Sequence, residues 1–326
     1  MNNKTIVYSL CNIGIKVAAS EEIHKKLKKF MNYPNASLLS KYSIRIIDNF
    51  NKDIVIKTFN EKISQNSNLK QFKLKFFTYL YDKDQRICYA FNSNIVGQID
   101  YNSNTTIWYL CDSNYVGRNL FHILILDPMS LMLPELNRIV FHGAALEVNG
   151  NGILLLGHSG AGKSTISHKI SQVFHNSAKL CDDTFILEVK KEIVLYPLDT
   201  GEGYNIEIAK KLYDTGRYEN LFYDPDKRKQ YIIKKQNCKL DKPIIVKKIL
   251  FLDRKEDYTT LKNTNITKCN TGKNLINIVN SQTNILTPYA EYKFNLYKQI
   301  SKEIEGYRVE YNIDCDVLKF KEEGVI

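Results

Sequence analysis

The chain has 326 residues, and 44% of them are hydrophobic, which suits two domains or one large domain with an appendage. No window approaches roughly 18 uninterrupted apolar residues, and the N-terminus lacks the long apolar core of a signal peptide, so we expect a cytoplasmic protein without a membrane partner. The net charge of +11 is dispersed among acidic residues, which favours a solvated basic surface suited to an acidic substrate over a nucleic-acid partner.

The seven cysteines and six histidines of the chain form no metal-binding pattern. The cysteines are scattered, odd in number and contain no C-x-x-C pair. This usage fits reduced thiols better than a disulfide framework or a zinc site.

Residues 1–115 read as a separate β-rich α+β module. Short β-branched and aromatic runs, divided by Asn, Ser and Lys clusters, predict strands. The segment SEEIHKKLKKFMNY predicts the one helix of the module, because a serine can cap it and Ile23, Leu27 and Phe30 recur at helical spacing. No residue here suggests chemistry, and presentation of a substrate or assembly into a homo-oligomer are the open roles. The predicted strands are IVYSL, IGIKVA, SIRIIDNF, DIVIKTF, FKLKFFTYLY, RICYAF and TTIWYL.

Residues 116–326 read as an α/β domain built around residues 152–165, GILLLGHSGAGKST. An apolar run predicts a buried strand, the glycines a tight loop, and the residues after them a helix, which together form the G-x-x-x-x-G-K-[ST] phosphate-binding pattern. Glycines let backbone N–H groups surround phosphate oxygens, and the helix adds its dipole. The alternative is a glycine-rich turn without a ligand. The predicted nucleotide-binding residues are Gly157, His158, Ser159, Gly160, Ala161, Gly162, Lys163, Ser164 and Thr165.

The residues before this loop predict a helical segment and one strand. NLFHILILDPMSLMLPEL, residues 119–136, reads as apolar helix interrupted by prolines, and we expect it to pack against the nucleotide-binding sheet. RIVFHGAALEV reads as one strand that pairs with the strand entering the loop, because Asn149-Gly150 suits a tight hairpin turn. That pairing predicts His142 on a neighbouring strand, near the loop.

Two adjacent carboxylates, Asp182 and Asp183, follow the next predicted strand. Acids at such a strand end can hold Mg²⁺ or accept a proton from an attacking hydroxyl. Paired carboxylates are costly unless a cation lies between them. A solvated turn is the alternative interpretation.

The remaining segments predict a scaffold with two further candidate elements. In the loop of residues 199–204, Glu202 is either another Mg²⁺ contact or an exposed acid. The basic run of residues 226–230 is either charge-stabilising toward phosphate or a solvated hairpin end. The predicted scaffold comprises a hairpin of TFILEV and EIVLYPL, a helix over 205–214, strands YIIKK, IIVKKILFLDR and YRVEYNI, and helices GKNLINIVNSQ and AEYKFNLYKQISKEI.

Three motifs together resemble a known family. His142-Gly143, then G-x-S-G-x-G-K-S beginning fifteen residues after the histidine, then the Asp-Asp pair resemble the kinase domain of HPr kinase/phosphorylase and the wider HPr kinase-like proteins, which share a core with ATP-dependent phosphoenolpyruvate carboxykinases. The resemblance covers roughly residues 119–260. It implies a P-loop HPr kinase-like domain that uses ATP and Mg²⁺ to phosphorylate a hydroxyl, a serine in the best-known members.

The resemblance also implies residue roles. Lys163 would bind and polarise the β- and γ-phosphates, and Ser164 would ligate Mg²⁺. One of Asp182 and Asp183 would be the base toward the acceptor hydroxyl, with the other near the metal. His142 would lie beside the transferred phosphate; its alternative is a buried core histidine.

One segment departs from the bifunctional members of that family. They carry an acidic metal ligand and an arginine before a glycine-rich loop, whereas PLDTGEGYN has no arginine and places its acids at Asp199 and Glu202. This points away from phosphorolysis and toward the divergent HPr kinase-like proteins of modified-peptide and polysaccharide biosynthesis. A carboxykinase is disfavoured by chain length.

We therefore expect a Mg-ATP-dependent kinase acting on a hydroxyl, best a serine, of a peptide, protein or small biosynthetic substrate. The alternative from another class is a catalytically silent ATP-binding regulatory or scaffold protein. The sequence does not fix ATP over GTP. The predicted catalytic residues are His142, Lys163, Asp182 and Asp183, and the predicted metal ligands are Ser164, Asp182, Asp183 and Glu202.

Overall fold

A computed structural model of the chain divides into two compact units. Unit 1 comprises Met1–Met132 with Asn284–Ala290, and unit 2 comprises Leu133–Thr283 with Glu291–Ile326. The predicted domain boundary between residues 115 and 116 lies outside the described residues. The structure describes residues 3–31, 39–48, 51–64, 68–74, 77–92, 94–111, 121–198, 201–224, 229–234, 243–255, 264–282, 289–312 and 315–326.

In its described part, unit 1 carries an eight-stranded sheet in the order β1-β2-β3-β8-β7-β6-β5-β4. The β2–β3 and β3–β8 pairs are parallel and the other pairs antiparallel. Its strands are β1 (Lys4–Leu10), β2 (Ile13–Ala19), β3 (Ser40–Ile47), β4 (Lys70–Leu74), β5 (Phe77–Asp82), β6 (Ile87–Phe91), β7 (Ile95–Asp100) and β8 (Thr105–Leu110).

Two helices connect strands of unit 1, and one of them corrects the sequence analysis. The predicted helix is α1 (Glu21–Leu27), preceded by Ser20. The run DIVIKTF was expected to be a strand, but it lies inside helix α2 (Lys52–Ser64). Two α2 isoleucines seven residues apart, Ile56 and Ile63, pack on the sheet cluster that contains Leu80. The helical period of these apolar residues outweighs the strand preference of their β-branched side chains.

The apolar helical segment 121–136 lies in unit 1 as far as Met132, and its last turn contacts the sheet that leads into the glycine loop, against which the whole segment was expected to pack. It consists of a π-helix (His122–Leu126), helix α3 (Asp127–Met132) and a 3₁₀ turn (Leu133–Leu136). The buried Trp108 indole N–H donates to the Leu124 carbonyl at 3.0 Å, and Phe121 stacks on Phe30. Trp108 itself lies against Gly97, where a Cβ would meet its ring at 2.1 Å.

Unit 2 is built on a mixed sheet with a separate three-stranded sheet, β15-β17-β16, in its described part. The main path is β12-β10-β11-β18-β14-β13-β9, and β20 joins β18 to β19. The strands are β9 (Arg138–His142), β10 (Ala144–Val148), β11 (Asn151–Leu156), β12 (Ser177–Cys181), β13 (Thr184–Val189), β14 (Ile193–Leu198), β15 (Glu202–Tyr204), β16 (Tyr218–Asp224), β17 (Lys229–Lys234), β18 (Ile244–Arg254), β19 (Asn265–Cys269) and β20 (Glu305–Tyr311).

Apolar clusters cover both faces of the main sheet, because successive residues of a strand point to opposite faces. Leu154 of β11 belongs to one cluster and Leu155 to the other. Helix α4 (Lys163–Val173) packs on the Leu155 face, and α6 (Thr271–Gln282) and α7 (Ala290–Glu303) pack on the Leu154 face. The remaining helices are α5 (Ile206–Asp214) and α8 (Lys319–Glu322).

Most predicted elements of unit 2 are present. The predicted hairpin turn is confirmed, since Asn149 and Gly150 both have positive φ and β10 pairs with β11. However, RIVFHGAALEV forms two strands, because the chain breaks at Gly143 and β9 pairs with β13 instead. Within the described residues, six cysteines are free, and no helix is long and apolar enough to cross a bilayer. The expectation of a mixed α/β fold is confirmed.

Candidate active site

The glycine loop, residues 157–162, joins β11 to α4. Gly160 and Gly162 have φ of 83° and 77°, which side-chain-bearing residues rarely adopt. A Cβ on Gly157 would lie 2.7 Å from the Leu252 carbonyl, so only glycine fits beside β18. The loop tip, His158 to Gly160, is exposed. The sequence therefore builds a tight, accessible turn at the end of a buried strand.

Helix α4 starts without a side-chain cap, because its N-cap residue is Gly162. The first amides of a helix have no partner within the helix, so they point toward the glycine loop and any ligand there. The Lys163 ammonium donates to the carbonyls of Gly157 and His158, each at 2.9 Å. Burial lowers the pKa of Lys163, while Asp183 and Asp182 act in the opposite direction. This ammonium is held inside the loop, where phosphate oxygens could replace the carbonyls.

Tyr311 supports the glycine loop from β20. Its buried hydroxyl donates to the Ala161 carbonyl at 2.6 Å. A Cβ on Gly162 would lie 2.1 Å from that hydroxyl, so the tyrosine also explains the glycine. Burial raises the pKa of Tyr311 to about 12, which keeps the hydroxyl protonated as a donor. The sequence analysis missed this contact, since the two residues are 150 positions apart.

The structure brings Asp183 and His142 together. His142 is the last residue of β9, and Asp183 lies two residues after the end of β12. His142 Nδ1 is 3.3 Å from Asp183 Oδ1. Thr184 donates its hydroxyl to Asp183 Oδ2 at 3.2 Å, and the Gly143 amide donates to the Asp183 carbonyl at 3.0 Å. A Cβ on Gly143 would meet the Leu155 carbonyl at 2.8 Å. The His-Gly pair thus serves close packing and places a half-exposed imidazole beside an acid.

Asp182 occupies a more buried position, on the Ser164 side. The Ser164 side chain lies close enough to the Asp182 carboxylate to lower its pKa, which places the acid beside the start of α4. Lys179 of β12 lies 3.4 Å from Asp182 Oδ1 and 3.0 Å from Glu202 Oε2. Tyr204, next to Glu202 on β15, donates its hydroxyl to the same Glu202 oxygen. The sequence analysis missed the roles of Lys179 and Tyr204, because both depend on strands that are distant in sequence.

The pKa shifts follow from one cation shared by two acids. Burial raises the pKa of Asp182, Lys179 lowers it and Glu202 raises it again, so the net shift is upward. For Lys179, burial lowers the pKa, but Glu202 and Asp182 outweigh it and the net shift is upward. Both directions agree with a cluster of two carboxylates and one ammonium, in which the ammonium is well stabilised and the acids are not fully neutralised.

The predicted metal ligands are only partly assembled. Within the described ranges, no group of three or more His, Cys, Asp or Glu side chains is placed to hold a metal ion. Glu202 is paired with Lys179, and Asp183 lies beside His142. Asp182 Oδ1, however, is buried and, apart from the Lys179 ammonium at 3.4 Å, has no polar partner in hydrogen-bonding geometry in the described part of the chain. A buried acceptor beside a serine hydroxyl fits Mg²⁺, which prefers oxygen ligands and completes its shell with phosphates and water.

Two predicted site segments are only partly visible. Residues 199–200 of the glycine-containing loop lie outside the described residues, and its remainder forms β15 with Glu202. Residues 225–228, which include most of the basic run, also lie outside them, and Lys229 starts β17. Thr165 lies exposed in the first turn of α4.

Comparisons with known proteins give little. No protein-family model and no curated protein matches the chain. Among solved structures it is similar to the Hpr(Ser) kinase/phosphatase from Coxiella burnetii, with 12% identity, coverage of 57% of this chain and 92% of that chain, and a TM-score of 0.27. Because this similarity is weak, any functional proposal rests on the residues of the site.

Proposed function

We propose that this chain is a Mg-ATP-dependent kinase that phosphorylates a hydroxyl group, preferably that of a serine, on a peptide, protein or small biosynthetic substrate. The observation that carries the proposal is the placement of two different acids beside the glycine loop. The Asp182 side chain is 9% exposed and lies beside Ser164, whereas that of Asp183 is 25% exposed and lies beside His142. Two acids with separate partners suit two separate tasks, metal binding and proton transfer.

The glycine loop and α4 would hold the triphosphate. Their amides would surround the phosphate oxygens, and the Lys163 ammonium would turn from the Gly157 and His158 carbonyls to the β- and γ-phosphates. Ser164 and Asp182 would supply the protein oxygens for Mg²⁺. When bound, Mg-ATP supplies an electrophilic phosphoryl group with a good leaving group. The protein's contribution is positioning and charge stabilisation, as is general for phosphoryl transfer.

Asp183 is the better candidate for the base. Its side chain is 25% exposed, against 9% for Asp182, so an acceptor hydroxyl can reach it. Its Oδ1 would accept the proton of the acceptor hydroxyl, and its Oδ2 remains fixed by Thr184. His142 would orient the Asp183 carboxylate from the neighbouring strand and is exposed enough to face the acceptor. The basic surface of the chain suits an acidic acceptor.

The test is transfer of label from γ-labelled ATP, with Mg²⁺, to components of a lysate of the source cells, followed by mass spectrometry. We expect a labelled peptide, protein or metabolite with the wild type and no such label with Lys163→Ala. The rate of transfer should fall by about 10²–10³-fold, because the variant lacks the cation that stabilises the charge developing on the transferred phosphate. Lys210→Ala, on exposed α5, is the matched control and should transfer at the wild-type rate.

The acid variants test the division of tasks. Asp183→Asn should retain Mg-ATP affinity and lose transfer, whereas Asp182→Asn should weaken Mg²⁺ binding as well. Wild-type transfer in both variants would contradict the proposed roles. If Mg-ATP binds and no label moves in any fraction, the ATP-binding regulatory protein becomes the better explanation.

A further inference from the structure

Lys179 is a largely buried cation that contacts two acids on different elements. Its ammonium is 3.4 Å from Asp182 Oδ1, after β12, and 3.0 Å from Glu202 Oε2, on β15. The Lys179 side chain is only 11% exposed, and those of Asp182 and Glu202 are 9% and 18% exposed. Solvent therefore screens the three charges weakly, and their balance governs what else can bind there.

The surroundings of Lys179 fix its ammonium in place. The Tyr204 ring lies under it, with the nitrogen 6.0 Å from the ring centroid, a favourable arrangement for a cation. The Tyr204 hydroxyl donates to Glu202, which orients the carboxylate that faces Lys179. Lys179 supplies one ammonium to both carboxylates, and the Lys163 ammonium also acts on Asp182 from the glycine loop. Paired carboxylates are typical ligands of divalent cations, but here the Lys179 ammonium contacts both carboxylates.

We propose that Lys179 is a built-in counter-ion that keeps a divalent metal from binding between Asp182 and Glu202 before the nucleotide arrives. The metal site is then confined to the Ser164 side of Asp182, where phosphate oxygens complete it. Lys179 acts through the two acids and is a positioning residue. This inference rests on the proposed function, because it assigns the order in which that site takes up its metal and nucleotide.

Removing the ammonium should create a metal site. In Lys179→Met, the Asp182 and Glu202 carboxylates would lose the ammonium that they share, which is unfavourable unless a proton or cation is recruited. We expect the nucleotide-free variant to bind Mn²⁺ about 10- to 100-fold more tightly than the nucleotide-free wild type, a range typical of changes beside metal ligands. The measurement is a Mn²⁺ titration of the full chain, with free Mn²⁺ followed by electron paramagnetic resonance.

Three variants define the result. Adding Glu202→Gln to Lys179→Met removes one carboxylate and should return nucleotide-free Mn²⁺ affinity to the wild-type value. Lys179→Arg keeps the cation and should behave as wild type, and Lys210→Met controls for loss of an exposed lysine on α5. Folding of each variant is checked by circular dichroism. A folded Lys179→Met protein whose nucleotide-free Mn²⁺ affinity equals that of the wild type would overturn the proposal.

Glu202→Gln alone gives a second test if Lys179→Met does not fold. Lys179 would then neutralise Asp182 alone, so Mn²⁺ affinity in the presence of a non-hydrolysable ATP analogue should fall about tenfold, with unchanged affinity for the analogue without metal. Unchanged Mn²⁺ affinity would refute the counter-ion role. Neither measurement requires catalytic turnover. If the chain transfers no phosphate, the proposed function fails but the counter-ion role can still be tested. If the chain is an active kinase and the variants have unaltered metal affinities, only the counter-ion role fails.

Discussion

Units 1 and 2 differ in the kind of buried polar group that takes no hydrogen bond in the described residues, because only in unit 2 is one of them a carboxylate. In unit 1, His24 Nε2 lies 2.8 Å from the Lys4 carbonyl, which can only accept, so Nδ1 accepts from the Tyr8 hydroxyl at 2.9 Å. Asp82 accepts the amides of Asp84 and Gln85 and closes a turn. The described buried groups of unit 1 that take no hydrogen bond include neutral hydroxyls such as that of Tyr79. His24 and Asp82 therefore stabilise the fold of unit 1 through hydrogen bonds.

In unit 2, Asp182 is a carboxylate with a buried oxygen that accepts no hydrogen bond in the described chain, and it shares one lysine with Glu202. A carboxylate left in this state costs stability, because a buried charge needs full compensation. The comparison teaches that incomplete neutralisation of charge, more than burial of charge, marks the site where a ligand would bind.

The largest stability effect should come from a buried ion pair that lies in unit 2 but is fully satisfied. Arg138 bonds to Glu188 at 3.1 Å and lies over the Tyr196 ring, and Tyr196 and Lys190 also bond to Glu188. We expect Arg138→Met to lower the free energy of unfolding by about 3 kcal/mol, the lower end of the cost of breaking a buried ion pair, because Lys190 and Tyr196 still contact the Glu188 carboxylate. Urea denaturation followed by circular dichroism measures this loss.

The same pair predicts a pH dependence. Burial alone would raise the pKa of Glu188, but Lys190, Arg138 and Tyr196 outweigh it and the net shift is downward. A carboxyl with a lowered pKa stabilises the fold above its unfolded value of about 4.5 and loses that contribution as pH falls through its folded value. The difference in stability between the wild type and Glu188→Gln should therefore shrink below pH 4.5.

ATP affinity at neutral pH should stay unchanged in both Arg138→Met and Glu188→Gln. Weakened ATP binding in a folded variant would show that the Arg138–Glu188 pair, and not only the incompletely neutralised Asp182, contributes to ligand binding.

A smaller effect is expected in unit 1. Tyr8→Phe leaves Nδ1 of the buried His24 without its donor, and an unsatisfied buried polar atom costs about 1–3 kcal/mol. Trp108 is the single tryptophan of the chain and is buried in unit 1, so its fluorescence during urea denaturation reports this loss. Tyr213→Phe, on exposed α5, is the control and should change neither stability nor fluorescence. A Tyr8→Phe protein as stable as wild type would show that His24 is not a structural histidine.

Local patterns predicted the parts of the site that are close in sequence. The strand, glycine loop and helix of residues 152–173 follow from the apolar run, the glycines and the helix-forming residues after them. The Asn149-Gly150 turn fixed the pairing of β10 with β11. His142 and Asp183 were both singled out, although their contact requires β9 to pair with β13, which the sequence analysis did not predict.

The contacts that were missed join distant strands. Lys179 of β12 contacts Glu202 of β15, a strand of a separate sheet, and no local sequence pattern indicates that contact. The expected single strand is divided at Gly143, where a Cβ would lie 2.8 Å from the Leu155 carbonyl, and this requirement for glycine is evident only in the folded sheet. Local propensity also failed for α2, where packing of an apolar helical face decided the structure.

The smallest predicted effect concerns the loop support from β20. Tyr311→Phe removes the hydroxyl that donates to the Ala161 carbonyl, so the glycine loop loses one buried anchor, worth about 1 kcal/mol. We expect ATP affinity to fall about fivefold with little change in the overall fold, because a preorganised loop becomes less so. Isothermal titration calorimetry measures the affinity, and Tyr307→Phe is the matched control, since its hydroxyl donates to exposed Glu305 on the same strand. Equal losses in both variants would assign the effect to β20 as a whole, whereas a loss confined to Tyr311→Phe would show that this one buried hydrogen bond keeps the loop ready for its ligand.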